Sequence, residues 1–137
     1  MEKKDLIEEA RRYVENAHDI LKNNEEYDPV LRCYNDHKYV RAAGHYLWHA
    51  VMLALDSVFH VREDRRTRVN IDAYREVVRK RDRKLLTLMN VGYEILHLHM
   101  GYDGVLAKDS CDTEFRITND IISRCEAMKK TEVRSKK

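Results

Sequence analysis

The sequence predicts an all-α fold, a single-domain antiparallel four-helix bundle, and three observations carry that expectation. Apolar residues recur at the 3.6-residue period over four separate segments. Turn formers are scarce, with four glycines and one proline in 137 residues, whereas a β-sandwich or barrel needs a turn about every 8–12 residues. Hydrophobic residues make up 43% of the chain and charged ones 36%, an apolar share near the globular average that argues against disorder outside the ends. A chain of this length suits one domain and buries roughly two-thirds of its extended surface. The domain is expected over residues 1–128, followed by a basic, disordered tail over 129–137.

The first helix is expected near 3–23. Leu6, Ile7, Ala10, Tyr13, Val14, Ala17, Ile20 and Leu21 form its apolar stripe, and Glu8, Arg11, Arg12, Glu15 and Asp19 form its wet face. Pro29, the single proline, disfavours helix at Asp28 and closes the segment.

The second helix is expected near 35–60, capped by Asn35 or Asp36. Val40, Gly44, Leu47, Trp48, Val51, Leu55, Val58 and Phe59 make its main stripe, while Ala42, Ala43, Tyr46, Ala50, Leu53 and Ala54 fill the flanks. A helix apolar on most of its circumference must be covered on most sides. It is therefore central, or it lies in a subunit interface. Gly44 in mid-helix costs about 1 kcal/mol against alanine, which close approach of another helix would justify.

The third helix is expected near 70–100, capped by Asn70 and stopped by Gly101 and Gly104. Its stripe reads Ile71, Tyr74, Val78, Leu85, Leu88, Met89, Gly92, Ile95, Leu96 and His99. The charged run Arg79 to Lys84 interrupts it, as a projecting helix or a kink would. The fourth helix is expected near 111–128, after Asp109, Ser110 or Asp112, with Phe115, Thr118, Ile121, Ile122, Cys125 and Met128 at helical spacing.

Charge and cysteine usage narrow the function classes. Lys plus Arg total 26 against 24 for Asp plus Glu, a net charge of +2, so nucleic-acid binding would have to rest on a local patch. Residues 62–84 supply one, with ten Lys or Arg against five Asp or Glu. Arg65, Arg66, Arg68, Arg75, Arg79 and Arg83 are its candidate anion or RNA contacts. A solvated charged helix accounts for the same run, since Glu76 and Lys80 form a favourable i, i+4 pair. Cys33, Cys111 and Cys125 are odd in number and show no CxxC spacing, which argues against a disulfide framework or structural zinc module. The N-terminus MEKKDLIEEARR has no apolar core of a signal peptide, and Tyr46 to Phe59 is too short to span a bilayer. A cytoplasmic protein with no membrane contact and no cofactor is expected.

The most specific constellation is a polar line on the second helix. Arg41, His45, His49 and Asp56 share one face of an otherwise apolar element. His45 and His49, at i and i+4, are the candidate metal pair, although further ligands must come from another helix. A polar strip facing solvent or a dimer cleft explains the same residues without metal. His97 and His99 sit about 200° apart on an α-helix and cannot share a metal, and His99 falls on the core stripe. His18, His37 and His60 stand near helix ends or polar faces. No GxSxG elbow or Gly-rich phosphate loop occurs, so no catalytic residue is assigned.

The segment Tyr39-Val40-Arg41-Ala42-Ala43-Gly44-His45-Tyr46-Leu47-Trp48-His49-Ala50, preceded by a long amphipathic helix, resembles the second helix of the HEPN superfamily over residues 3–128. The chain also looks like a small bacterial helical-bundle family of unknown function. Active HEPN ribonucleases carry an Arg-x4–6-His motif late in the bundle. Here that spacing occurs at Arg11 and Arg12 with His18 and at Arg32 with His37, all early in the chain, so the family's ribonuclease residues do not carry over. The resemblance implies a non-catalytic interaction module acting as a homodimer, with a possible protein partner. The alternative is an RNA- or nucleotide-directed protein, a ribonuclease or toxin–antitoxin component, using the basic patch with His45, His49 or Arg32/His37. A metal-binding bundle is the third reading.

Overall fold

A computed structural model of the chain describes residues 5–61 and 70–135. Helix α1 spans Leu6–Asn24 and starts where the Asp5 carboxylate accepts from the backbone N–H groups of Ile7 and Glu8, satisfying two of the orphan donors of the first turn. Its buried face is Ile7, Ala10, Val14, Ala17 and Leu21, the stripe that the period predicts.

A two-stranded antiparallel hairpin follows, β1 (Tyr27–Asp28) and β2 (Cys33–Tyr34), where the sequence suggests only a break. Asp28 builds the turn. Its carboxylate accepts from Val30 and Leu31, its carbonyl accepts from Arg32, and Arg32 takes the left-handed region at φ 55°. An aspartate accepting from the residues two and three ahead is a strong turn former, and Pro29 presets the position after it.

Helix α2 spans His37–Val58 and is capped by Asp36, which accepts from Lys38. Asn35 accepts instead from the N–H of Glu26 and ties the hairpin base together. The helix is central: it packs against α1, the third segment and the last helix. Leu47 is 0% exposed and Leu53 2%, so a single chain covers the apolar circumference that suggested either centrality or an interface. Gly44 has the reason expected of it, since a Cβ there would lie 2.7 Å from the Gly101 nitrogen.

The third segment corrects the sequence reading. It is not one helix over 70–100 but α3 (Ile71–Arg81), α4 (Arg83–Gly92) and a π-helix (Tyr93–Asp103). Asp82, extended at φ −155°, ends α3 and caps α4 by accepting from Leu85, so the kink explains the interrupted stripe. Five α-helices and one π-helix among the described residues replace the plain four-helix count. The wider i→i+5 turn changes which residues face inward: Leu96 and Met100 are fully buried, while His99, which the 3.6 period puts in the core, is exposed. Gly104, at φ 63°, ends the π-helix with its N–H donating to Met100.

Helix α5 spans Lys108–Ser135. It continues past Lys129, where fraying is expected, and Glu132 meets Arg81 at 3.7 Å while Glu126 meets Arg11 at 3.2 Å. Those cross-helix pairs give the last turns partners that a sequence pattern does not display. No helix among the described residues is long and apolar enough to cross a membrane.

Candidate functional site

The four residues of the polar line on α2 each have neighbours of their own. Arg41 lies over Gly104, where a Cβ would meet its Cγ at 3.0 Å and its Nε at 3.2 Å. His45 packs beside Gly101, and its charge reaches His97. His49 packs against Tyr13 of α1 with ring centroids 4.5 Å apart and the ring planes tilted by 31°. Asp56 accepts a short hydrogen bond from the Tyr74 hydroxyl, which anchors α3 to α2. Across the α2–π-helix contact, His45 stands near enough to His97 for a positive charge on one to disfavour a positive charge on the other. Among the described residues no group of three or more His, Cys, Asp or Glu converges to hold a metal ion.

Around His97 the aromatic rings close up. Trp48 and Tyr93 lie 5.6 Å apart, and His97 sits 5.7 Å from Trp48 and 5.3 Å from Tyr93. Arg75 covers the outer face of Tyr93 at 5.4 Å. Burial pushes the His97 pKa below the usual imidazole value, and the neighbouring His45 charge adds to that depression. This is a structural clasp between α2 and the π-helix, built of rings that prefer tilted and edge contacts.

The basic patch is divided. Arg65, Arg66 and Arg68 lie outside the described residues. Arg75 pairs with Asp72 at 3.0 Å and donates to Asn90 at 2.9 Å, and Arg79 pairs with Glu76 at 2.9 Å. Arg83 opens α4 beyond the break at Asp82, so Arg75, Arg79 and Arg83 do not line one helix face. Arg32 pairs with Asp109 at 3.0 Å, and His37 shares a 2.7 Å hydrogen bond with the Gly104 carbonyl. Both residues therefore hold the hairpin and the start of α2 to the chain after the π-helix.

The two buried cysteines are chemically quiet. Burial pushes the thiols of Cys111 and Cys125 up to about 12, so neither forms a thiolate near neutral pH.

A further group stands out that the sequence reading does not single out. Glu114, on α5, is 1% exposed, and its Oε2 is buried without a hydrogen-bond partner. Desolvation raises its pKa to about 8, so at neutral pH it is a protonated acid with an O–H to give and a carbonyl to accept with. It lines a cavity of about 360 Å³ between α4, the π-helix and α5, together with Val91, Glu94, Ile95, His99, Val105, Ser110 and Thr113. The volume lies at the lower end of the small-molecule range, and an apolar wall with a few converging polar groups is the usual make-up of such sites. The π-helix builds both faces of this region: His97 turns toward Trp48, and Glu94, Ile95 and His99 turn toward the cavity. A signal for Glu114 was present in the sequence, because 114, 118, 121 and 125 fall at helical spacing and place one acid on an apolar stripe.

A second cleft of about 480 Å³ lies between α1, the hairpin and α5, lined by His18, Leu21, Lys22, Glu25, Tyr27, Tyr34, Lys108, Asp112 and Phe115. Its charges largely answer one another: Lys108 holds Asp112 at 2.7 Å, and Glu25 accepts from the Asp36 N–H at 2.8 Å. Glu114 has no such answer.

Comparison with known proteins gives a family and a fold. The family described as a domain of unknown function (DUF5618) matches residues 5–127. A solved structure, a protein of unknown function from Dyadobacter fermentans, is similar with 34% identity and a TM-score of 0.78, over 89% of this chain and 93% of that one. No curated protein matches.

Proposed function

The chain belongs to the DUF5618 family, and we propose that it is a non-catalytic binding module whose site is the cavity ending on Glu114. The observation that carries this reading is the buried carboxyl without a partner at the cavity wall. An unanswered buried polar group costs about 1–3 kcal/mol, and a ligand that answers it recovers part of that cost. The two buried cysteines, held as thiols, are no nucleophiles, which supports binding over covalent catalysis at Cys111 or Cys125. In this reading the HEPN-like pattern of α2 marks a shared scaffold and carries no ribonuclease chemistry.

The test is a small-molecule fragment screen read by amide chemical shifts. Fragments are expected to move the resonances of Val91, Ile95 and Thr113 in the wild type, and to lose that effect in Thr113→Trp, which fills the cavity. Binding that is indifferent to Thr113→Trp defeats the reading.

The RNA alternative loses support at Arg75 and Arg79, whose charges are met by Asp72 and Glu76. Homodimerisation would have to use side chains left outside the core, and Val30 and Leu31 at the hairpin tip, 86% and 71% exposed, are the prime ones. Sedimentation velocity at micromolar concentration tests it, and a monomer removes it.

A further inference from the structure

We infer that the Glu114 cavity takes an organic ammonium ion, a protonated amine on an apolar body, with its nitrogen against the Glu114 carboxyl and its carbon skeleton between Val91, Ile95 and Val105. The inference rests on the binding reading above and adds the chemistry of the ligand.

Two features favour a cation. The lining holds two carboxyl groups, Glu94 and Glu114, and no lysine or arginine. An anionic ligand would meet like charge at Glu94 and no lysine or arginine to answer it, which costs affinity. Second, Glu114 is nearly fully buried, faces the cavity and has no internal donor. A protonated amine brings N–H donors and a positive charge to a carboxyl that lacks both, and charge-assisted bonds of this kind are the strong ones. Ser110 and Thr113 place hydroxyls where remaining ammonium protons can be accepted, and the three aliphatic side chains suit a hydrocarbon body.

The proton balance follows. The amine enters already protonated, Glu114 releases its own proton to solvent, and the complex holds a carboxylate–ammonium pair. The groups around Glu114 set how cleanly this is read. Glu94 and His99 face the cavity from the π-helix, and Val91 faces it from α4. The Cys111 thiol on α5 stays neutral, at about 12, and the buried positions of α2 are apolar or glycine throughout. On the α1 side, Arg11 is paired with Glu126, and His18 stacks on Phe115.

The experiment is titration calorimetry of the full chain with 4-phenylbutylamine, 4-phenylbutanol and 4-phenylbutanoate, at pH 6, 7 and 8, in two buffers of different ionisation enthalpy. The amine is expected to bind about tenfold or more tightly than the alcohol, with affinity rising about tenfold from pH 6 to pH 7. At pH 7 close to one proton should leave per amine bound. Glu114→Gln, a neutral near-isostere, should abolish the proton release and the pH dependence and weaken the amine about tenfold or more. Carbon-13 shifts of the wild-type Glu114 carboxyl give a second readout that needs no variant: the amine should drive it to the ionised form at pH 7. An amine that binds no better than the alcohol, or releases no proton, overturns the inference. If the alcohol or the acid binds in a Glu114-dependent way while the amine does not, the ammonium assignment falls and the cavity reading stands. If none of the three binds and the fragment screen is also blank, the failure lies with the cavity itself.

Discussion

Arg124 of α5 grips Asp82 with two nitrogens, Nε at 2.7 Å from Oδ2 and a terminal nitrogen at 3.0 Å from Oδ1, while that same carboxylate caps α4 through the Leu85 N–H at 3.0 Å. One side chain therefore breaks the third segment, starts its second part and fixes both to the last helix. The Arg124 guanidinium is the main reason the Asp82 pKa sits below the usual aspartate range.

Asp82→Ala should destabilise the protein by about 2–3 kcal/mol, from a lost cap and a lost bidentate pair. Because the folded pKa is depressed, the stabilisation is present above the ordinary aspartate pKa and disappears as pH falls through the folded value. Urea denaturation at pH 7 and pH 3 checks both points: the gap between wild type and Asp82→Ala should close in acid. Arg124→Ala should share the loss, and the double variant should fall short of the sum, since the residues are in contact.

Glu114 has the opposite dependence. Its proton is held to about pH 8 in the folded chain against an ordinary value of 4.5. The folded state thus binds more protons between those limits, and its stability declines as pH rises across them. Glu114→Leu should raise stability at pH 8 by about 1–3 kcal/mol and flatten that part of the pH profile. Thermal melts from pH 4 to pH 9 are the measurement, and a variant less stable than wild type at pH 8 contradicts the account.

Gly44→Ala pits propensity against space. Alanine gains about 1 kcal/mol in a helix interior, yet its Cβ would stand 2.7 Å from the Gly101 nitrogen and 2.9 Å from the Met100 carbonyl carbon. Backbone atoms do not yield as side-chain tips do, so net destabilisation of about 1–3 kcal/mol is expected. Calorimetric melting of the variant decides it.

Thiol labelling should separate the three cysteines. Cys111 and Cys125 are buried, with pKa values of about 12, while Cys33 is partly exposed on the hairpin. Under native conditions at pH 8, one equivalent of a chromogenic disulfide should react quickly, and the other two only on unfolding.

Helix α1 was legible because its burial follows one period from end to end, and α2 because it is apolar on most of its circumference, with the acid Asp36 marking its start. Gly44 was legible as a close approach, although its partner was not. The π-helix was illegible for a definite reason: a template of 3.6 residues per turn puts His99 on the stripe with Ile95 and Leu96, and no residue type announces the wider turn. Asp82 sat as the one acid in a run of basic residues, where a cap and a solvated face look the same until Arg124 is seen opposite. Of the polar line, His45 comes near another histidine from the third segment, His97, a proximity across fifty residues that spacing along one helix cannot display. Glu114 differed again. Its stripe could be counted, but its isolation depends on what α4 and the π-helix leave empty beside it.

The only tryptophan of the chain, Trp48, touches Tyr93 and His97 of the π-helix, the segment whose Glu94, Ile95 and His99 line the Glu114 cavity. Any event in the cavity that shifts that segment must disturb an indole in ring contact with a titratable imidazole. The molecule thereby carries its own optical gauge, and its emission colour and quenching by imidazolium would register occupancy without an added label.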